Sequence, residues 1–227
     1  MNLEARKTLD ELKTKLRRAS VAQLGGFRPP ENPLCSWFGK GVCLESERLP
    51  IYQGKEMFPL LQINVAELPF VPPELSETKL LVVFFNQDEI PFDKANGDGW
   101  LIREYKSFDG LIPLPEIDMS KILRPFPIKW NLVEDDAPGW ETAWTLVDLD
   151  SVINDEEADE AFYKDFSRNI GTKVGGFPDE IQHMPILDNF VFQIGSEEKA
   201  KWNWIDSGSA YFYKSSDGIW SWDCQFL

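Results

Sequence analysis

The feature that most constrains the fold is a pattern of three elements that occurs twice along the chain. Each copy has a glycine-rich turn, then an apolar strand that ends in Gln-Ile, then a strongly apolar or aromatic strand. The first copy comprises residues 37–41, 59–63 and 81–85, and the second comprises 174–177, 190–194 and 211–213. Each half-sheet alone would leave an apolar face uncovered, so we expect both copies to share one domain.

This order predicts an α+β fold in which a single domain is built from two related halves with a mixed or antiparallel sheet. We place the halves at about residues 36–106 and 171–227 of a domain that spans 35–227. A proline-rich segment (111–133) and an acidic segment join them. Part of the acidic segment, about residues 150–168, is predicted to be helical.

Residues 1–34 are predicted to be an N-terminal helix and a linker. Leu9, Leu12 and Leu16 recur at helical spacing, which indicates an amphipathic helix over residues 2–19. The glycines and prolines between residues 24 and 30 then end the helix. We expect the helix to pack on the acidic body of its own chain.

Several short motifs carry a family resemblance. They are GGFP at 175–178, FQI at 192–194 and WIDSG at 204–208, followed by YFY; FGKG at 38–41, LLQI at 60–63 and VVFF at 82–85 form a second set. These motifs resemble the YwqG-like family of uncharacterised bacterial α+β proteins, over about residues 35–227. The chain departs from that family at Ile205, where a glycine is usual, and at Lys40, which separates two glycines that are usually adjacent. The resemblance implies a fold and no catalytic residue.

Charge limits the classes of partner. The chain carries a net charge of −15, and residues 134–160 contain eleven acidic side chains and no lysine or arginine. Such a surface repels phosphate backbones, so we expect no nucleic-acid binding. It attracts a basic protein or peptide and speeds the encounter. The alternative interpretation is that the charge serves solubility alone.

Neither a membrane segment nor a metal or cofactor site is expected. The longest clear apolar run, residues 80–85, is far shorter than the roughly 20 residues of a membrane helix. The N-terminal residues are charged where a signal peptide is apolar. The three cysteines, Cys35, Cys43 and Cys224, are too few for a disulfide framework and lack zinc-site spacing. We therefore expect a cytoplasmic protein with idle thiols and no cofactor.

No residue is expected to be catalytic. Ser207, in Asp-Ser-Gly-Ser, would need a base, and the single histidine, His183, stands in no recognisable motif. A tight turn is the favoured interpretation, with Gly208 at positive φ and Asp206 accepting hydrogen bonds from the turn amides. Alternate tryptophans at 202/204 and 220/222 are either a stacking platform or, as is more usual, part of a core.

Two functions remain open from the sequence. The first is a non-enzymatic, acidic protein-binding module, of which an antidote to a basic toxin is one form. The second is a small-ligand binder or enzyme that uses a cleft between the halves. For that alternative, Gln62, Gln193, Trp204 and Asp206 are the candidate ligand-binding residues.

Overall fold

The computed structural model describes residues 1–182 and 189–227. Its helices are α1 (Leu3–Lys13), α2 (Trp140–Leu146), α3 (Asp150–Ile153) and α4 (Glu156–Asp165). The strands of the first part are β1 (Arg17–Leu24), β2 (Trp37–Phe38), β3 (Val42–Leu44), β4 (Ile51–Tyr52), β5 (Lys55–Glu56), β6 (Phe58–Asn64), β7 (Leu80–Phe85), β8 (Trp100–Tyr105) and β9 (Leu111–Pro113). They are followed by β10 (Phe126–Asp136), β11 (Lys173–Gly175), β12 (Phe190–Gly195), β13 (Ser209–Lys214) and β14 (Trp220–Gln225). The α+β class predicted from the sequence is confirmed.

Ten of these strands form one antiparallel sheet. Its order is β14-β13-β12-β11-β1-β10-β2-β6-β7-β8. The strands of the second half therefore occupy one side, the strands of the first half occupy the other, and β1 and β10 lie between them. The small pairs β3-β9 and β4-β5 stand apart from this sheet.

The sheet folds on itself, so that its two sides pack face to face. Phe85 in β7 lies 5.0 Å from Trp222 in β14, and Trp100 in β8 lies 6.1 Å from Phe212 in β13, measured between ring centroids. We call the buried apolar cluster between the two sides the shared core. Trp220 and Cys224 are buried in it and Trp222 packs against it, so these three residues lie on one face of their strand.

The helices α1, α3 and α4 pack against one another. Ala5, Leu9 and Leu12 of α1 pack against Val152 of α3 and Phe162 of α4 in a second apolar cluster. Helix α1 is capped by the side chain of Asn2, which accepts from the amide of Ala5 at 2.8 Å. The predicted packing of the N-terminal helix on the acidic part of the chain is confirmed. The acidic helix predicted at about 150–168 is present as two shorter helices, α3 and α4.

The predicted N-terminal helix over residues 2–19 is wrong in its second part. Helix α1 ends at Lys13, and residues 17–24 form the strand β1. This strand pairs with β10 along nearly its whole length and with β11 on its other side. Residues that the sequence assigned to a helix and linker thus contribute a central strand.

Candidate functional site

The turn at residues 203–208 is held by Asn203, not by Asp206. The Ser207 amide donates to Asn203 Oδ1 at 3.1 Å, and Asn203 Nδ2 donates to the Ile205 carbonyl at 2.8 Å. Asp206 is exposed, so the expectation that its carboxylate accepts the turn amides is wrong. The side-chain oxygen of Asn203 accepts the hydrogen bond from the Ser207 amide instead.

Gly208 is required by close packing and not by its φ angle. The left-handed residues of this turn are Ile205 (φ 54°) and Ser207 (φ 51°), so the prediction of a positive φ at Gly208 is wrong. A β-carbon on Gly208 would clash with the Gln225 carbonyl oxygen and lie 2.9 Å from Phe226 Cβ. The turn is therefore a structural connection to the last strand.

Gln62 and Gln193 play matching structural roles in the two halves. Gln62 Nε2 donates to the carbonyls of Pro33 and Cys35 at 2.8 and 2.7 Å, and Gln193 Nε2 donates to that of Gly171 at 2.7 Å. Both side chains are fully buried. Each side chain thus holds the backbone at or just before the start of its own half of the domain. These matched bonds support the internal duplication, which stays a prediction.

The structure does not bring the four candidate ligand-binding residues together. Gln62 and Gln193 lie on the face of the sheet turned away from the shared core, since their strand neighbours Leu61 and Ile194 point into it. Trp204 is fully buried in that core, with its ring 5.3 Å from Phe85. Asp206 is on the surface, so these residues do not line a common cleft.

A buried ion pair joins β10, which lies between the two halves, to β11 of the second half. Lys173 Nζ lies 2.8 Å from Asp136 Oδ2, and both side chains are almost completely buried. Asp136 also accepts from the Phe177 amide at 2.9 Å and from Asn169 Nδ2 at 2.8 Å. Gly176 makes room for this carboxylate, because a β-carbon there would lie 2.9 Å from Asp136 Cγ. Burial lowers the pKa of Lys173 against the attraction of Asp136.

Sequence reasoning missed this ion pair. Asp136 stands within the acidic segment, where the composition indicated only solvated side chains. The bonding capacity of Asp136 is taken up by the chain itself, so the pair is a structural tie between β10 and β11 and offers no open position to a substrate.

The candidate nucleophiles lack an activated form. Burial raises the pKa of Cys35 and Cys224 to about 12, so both stay protonated at neutral pH. The three cysteines form no disulfide. Ser207 is exposed, and His183, its only candidate base, lies outside the described residues.

Two surface features of the described part of the chain are candidates for binding a partner. We call the first the acidic surface: the exposed carboxylates of residues 134–160, namely Glu134, Asp135, Glu141, Asp148, Asp150, Glu156, Glu157 and Glu160. Two exposed apolar side chains, Ile153 and Tyr163, lie on the same helices.

The second feature is a cleft beside the glycine-rich turn of the first half. It has a volume of about 620 Å³, and its walls come from residues 30–33, from the turn Gly39-Lys40-Gly41 and from the loop 113–125. Lys201 of the second half completes the rim. We call this the turn cleft. Its size is that of a small-molecule site.

Two negative findings bear on function. In the described residues, no group of three or more His, Cys, Asp or Glu is placed to hold a metal ion. None of the helices that the structure describes is both long enough and apolar enough to cross a membrane.

Comparison with known proteins places the chain in a family. A search of curated proteins finds no match. The sequence model of a domain of unknown function, DUF1963, matches residues 38–221. The match covers most of the chain, from the end of β2 into β14, and leaves α1 and β1 outside it. The protein therefore belongs to the family of this domain of unknown function, DUF1963.

Proposed function

We propose that this protein is a non-enzymatic binding module whose acidic surface engages a basic protein in the cytoplasm. The carrying observation is that eight of the eleven acids of residues 134–160 are exposed, on and around helices whose apolar sides are already packed. Within its family, the motifs at 175–178 and 204–208 favour membership of the YwqG-like group, with which the family match is consistent.

Part of the charge of the acidic surface is neutralised by ion pairs within the chain. Glu134 pairs with Arg18, with 2.6 Å between Oε2 and Nε, and Glu157 pairs with the amino group of Met1. Both pairs are exposed and contribute little to stability. Much of the negative electrostatic potential of the acidic surface therefore still extends into the solvent. An excess of negative charge on a protein speeds the approach of a basic partner.

Apolar anchors accompany the charge. Tyr163 is 66% exposed, and its ring stacks on that of Trp140 with 5.8 Å between centroids. Ile153, 54% exposed, lies on the neighbouring helix. An exposed tyrosine on a rigid base with charged residues around it is typical of the few side chains that contribute most to a protein interface. An acidic inhibitor of a basic toxin is one form that such a module can take.

The proposal is tested with two variants of equal charge. The surface variant carries Asp150→Asn, Glu156→Gln and Glu160→Gln, and the control carries Glu45→Gln, Glu89→Gln and Asp217→Asn at exposed positions outside the acidic surface. Each immobilised protein is exposed to a lysate of the native host, and the retained proteins are compared by mass spectrometry.

We expect a basic protein that the wild type and the control retain, that the surface variant loses, and that moderate salt releases. Equal retention by both variants would contradict the proposal, as would a partner whose binding is insensitive to salt. Purified partner and titration calorimetry then give the affinity of each variant.

A further inference from the structure

The turn cleft gathers positive side chains that are far apart in the sequence. The Arg124 amide donates to the Ala200 carbonyl at 2.7 Å, which holds the 113–125 loop against the segment that carries Lys201. On the other side, the position of a β-carbon on Gly39 lies 3.2 Å from Pro125 Cα, so the turn that carries Lys40 touches the same loop. Lys40, Arg124 and Lys201 therefore line one opening in a strongly acidic protein.

None of the carboxylates in residues 1–182 and 189–227 is paired with these three cations. In the described part of the chain, no Asp or Glu oxygen lies within 4.0 Å of their charged nitrogens. The ammonium of Lys40 instead lies 4.1 Å above the ring of Trp37, a cation–π contact. An anionic ligand at the opening would therefore meet positive charges that are not paired with a described carboxylate.

Two of the acids that line the turn cleft, Asp118 and Glu31, have bonding partners within the chain. Asp118 accepts from the amide and the hydroxyl of Ser120 at 3.1 and 2.8 Å, and these bonds lower its pKa. Glu31 lies 3.7 Å from Arg28. Glu116 is the third acid of the lining. Glu31 is paired, but Asp118 and Glu116 keep their negative charges, so the described lining carries three acids and three cations. An anionic head group is therefore stabilised where it lies nearer to Lys40, Arg124 and Lys201 than to these acids.

The inner surface of the turn cleft is apolar. Buried side chains of Trp37, Leu114, Met119 and Leu123 form part of it. Prolines add rigid apolar walls; they are Pro30, Pro33, Pro59, Pro113, Pro115 and Pro125. A surface of this kind binds an apolar body with little loss of side-chain freedom.

We propose that the turn cleft binds an amphipathic organic anion. Its apolar body lies on Trp37, Met119 and Leu123, and its carboxylate or phosphate group meets Lys40, Arg124 and Lys201. The guanidinium of Arg124 suits both head groups, since it binds either one through paired N–H donors. This site is separate from the acidic surface and does not depend on the function proposed for it.

The experiment uses three ligands with a ten-carbon chain: decanoate and decyl phosphate below their critical micelle concentrations, and decanol below its solubility limit. Displacement of anilinonaphthalene sulfonate fluorescence and titration calorimetry give their affinities for the full chain. We expect either anion, or both, to bind and decanol to bind at least about tenfold more weakly, because the neutral head group gains nothing from the cations. The ratio between the two anions then identifies the preferred head group.

The variant Lys40→Gln/Arg124→Gln tests the assignment of the site. Both side chains are exposed, so we expect unfolding midpoints near that of the wild type and a loss of anion affinity of about tenfold or more. The control Lys79→Gln/Lys129→Gln removes the same charge from exposed positions outside the cleft and should retain the affinity. Equal binding of decanol and the anions would overturn the proposal. So would unchanged affinity in the cleft variant, or no binding to the wild type.

Discussion

Gly208 connects the turn at residues 203–208 to the last strand. Its amide donates to the Trp204 carbonyl at 3.0 Å, and its carbonyl accepts from the Ser196 amide at 3.0 Å. Because a β-carbon would clash with the Gln225 carbonyl oxygen, Gly208→Val forces the turn and β14 apart. We expect the free energy of unfolding to fall by about 1–3 kcal/mol, measured by urea denaturation.

Asp206→Asn is the control for this turn. The Asp206 side chain is exposed and the turn amide is held by Asn203, so the free energy of unfolding should change by no more than about 0.5 kcal/mol. A Gly208→Val protein as stable as the wild type would show that the contact with Gln225 is easily relieved. The turn would then not be a structural connection.

At the scale of elements, β1 is the strand on which both halves depend. It supplies hydrogen-bonding partners to β10 on one side and to β11 on the other. Ser20 Oγ also bonds with the backbone of Phe70. We predict that removal of residues 1–14 destabilises the protein but leaves a cooperative unfolding transition, because only the packing of α1 is lost.

Removal of residues 1–24 should instead abolish cooperative folding, since β10 and β11 lose their shared neighbour. Circular dichroism and urea denaturation of the two truncated proteins separate these outcomes. A cooperative transition in the chain that begins at residue 25 would contradict a central role for β1.

The elements that could be predicted from the sequence are those whose own residues show a clear hydrophobic pattern. The strands β6, β7, β12 and β13 are nearly continuous apolar runs, and the alternation in β14 matches one buried face. Strand β8 alternates less strictly, because Trp100 and Ile102 of one face and Tyr105 of the other are all buried. Strand β1 has no such signal: its buried residues include the small side chains Ala19 and Ser20, and its partner β10 is about a hundred residues away. Tertiary pairing decided its state.

The turn cleft could not be predicted for a related reason. Its cations Lys40, Arg124 and Lys201 stand in three separate segments and share no motif. Gln62 and Gln193 were singled out as candidate ligand-binding residues, yet both bond to the backbone at or just before the start of their own halves. A repeated polar residue in a repeated strand indicated a common structural task and gave no information about a ligand.

At the scale of the whole molecule, Glu104 joins the two outermost strands of the folded sheet. From β8 it accepts from Lys214 Nζ of β13 at 2.7 Å and from Trp220 Nε1 of β14 at 3.0 Å. Thr78 donates to it at 2.7 Å. Burial opposes the charged form of Glu104, but the hydrogen bonds from Lys214, Thr78 and Trp220 outweigh burial and lower its pKa.

Glu104→Gln should therefore weaken the contact between the two sides of the sheet, by about 1–3 kcal/mol at pH 7. Because the folded-state pKa of Glu104 is lowered, its stabilisation is present above the unfolded-state pKa of about 4.3 and is lost as pH falls through the folded-state value. The difference in unfolding free energy between wild type and variant should shrink accordingly in acid, measured by urea denaturation at neutral pH and below pH 4.3.

Glu77→Gln is the matched control, since Glu77 pairs with Lys106 but both side chains are 77% exposed. Exposed pairs contribute about 0–1 kcal/mol, so this variant should remain close to wild type at neutral pH. If Glu104→Gln were no more destabilising than Glu77→Gln, the two sides of the sheet would be held together by the shared core alone. The Glu104 contacts would then follow from the closure of the sheet without stabilising it.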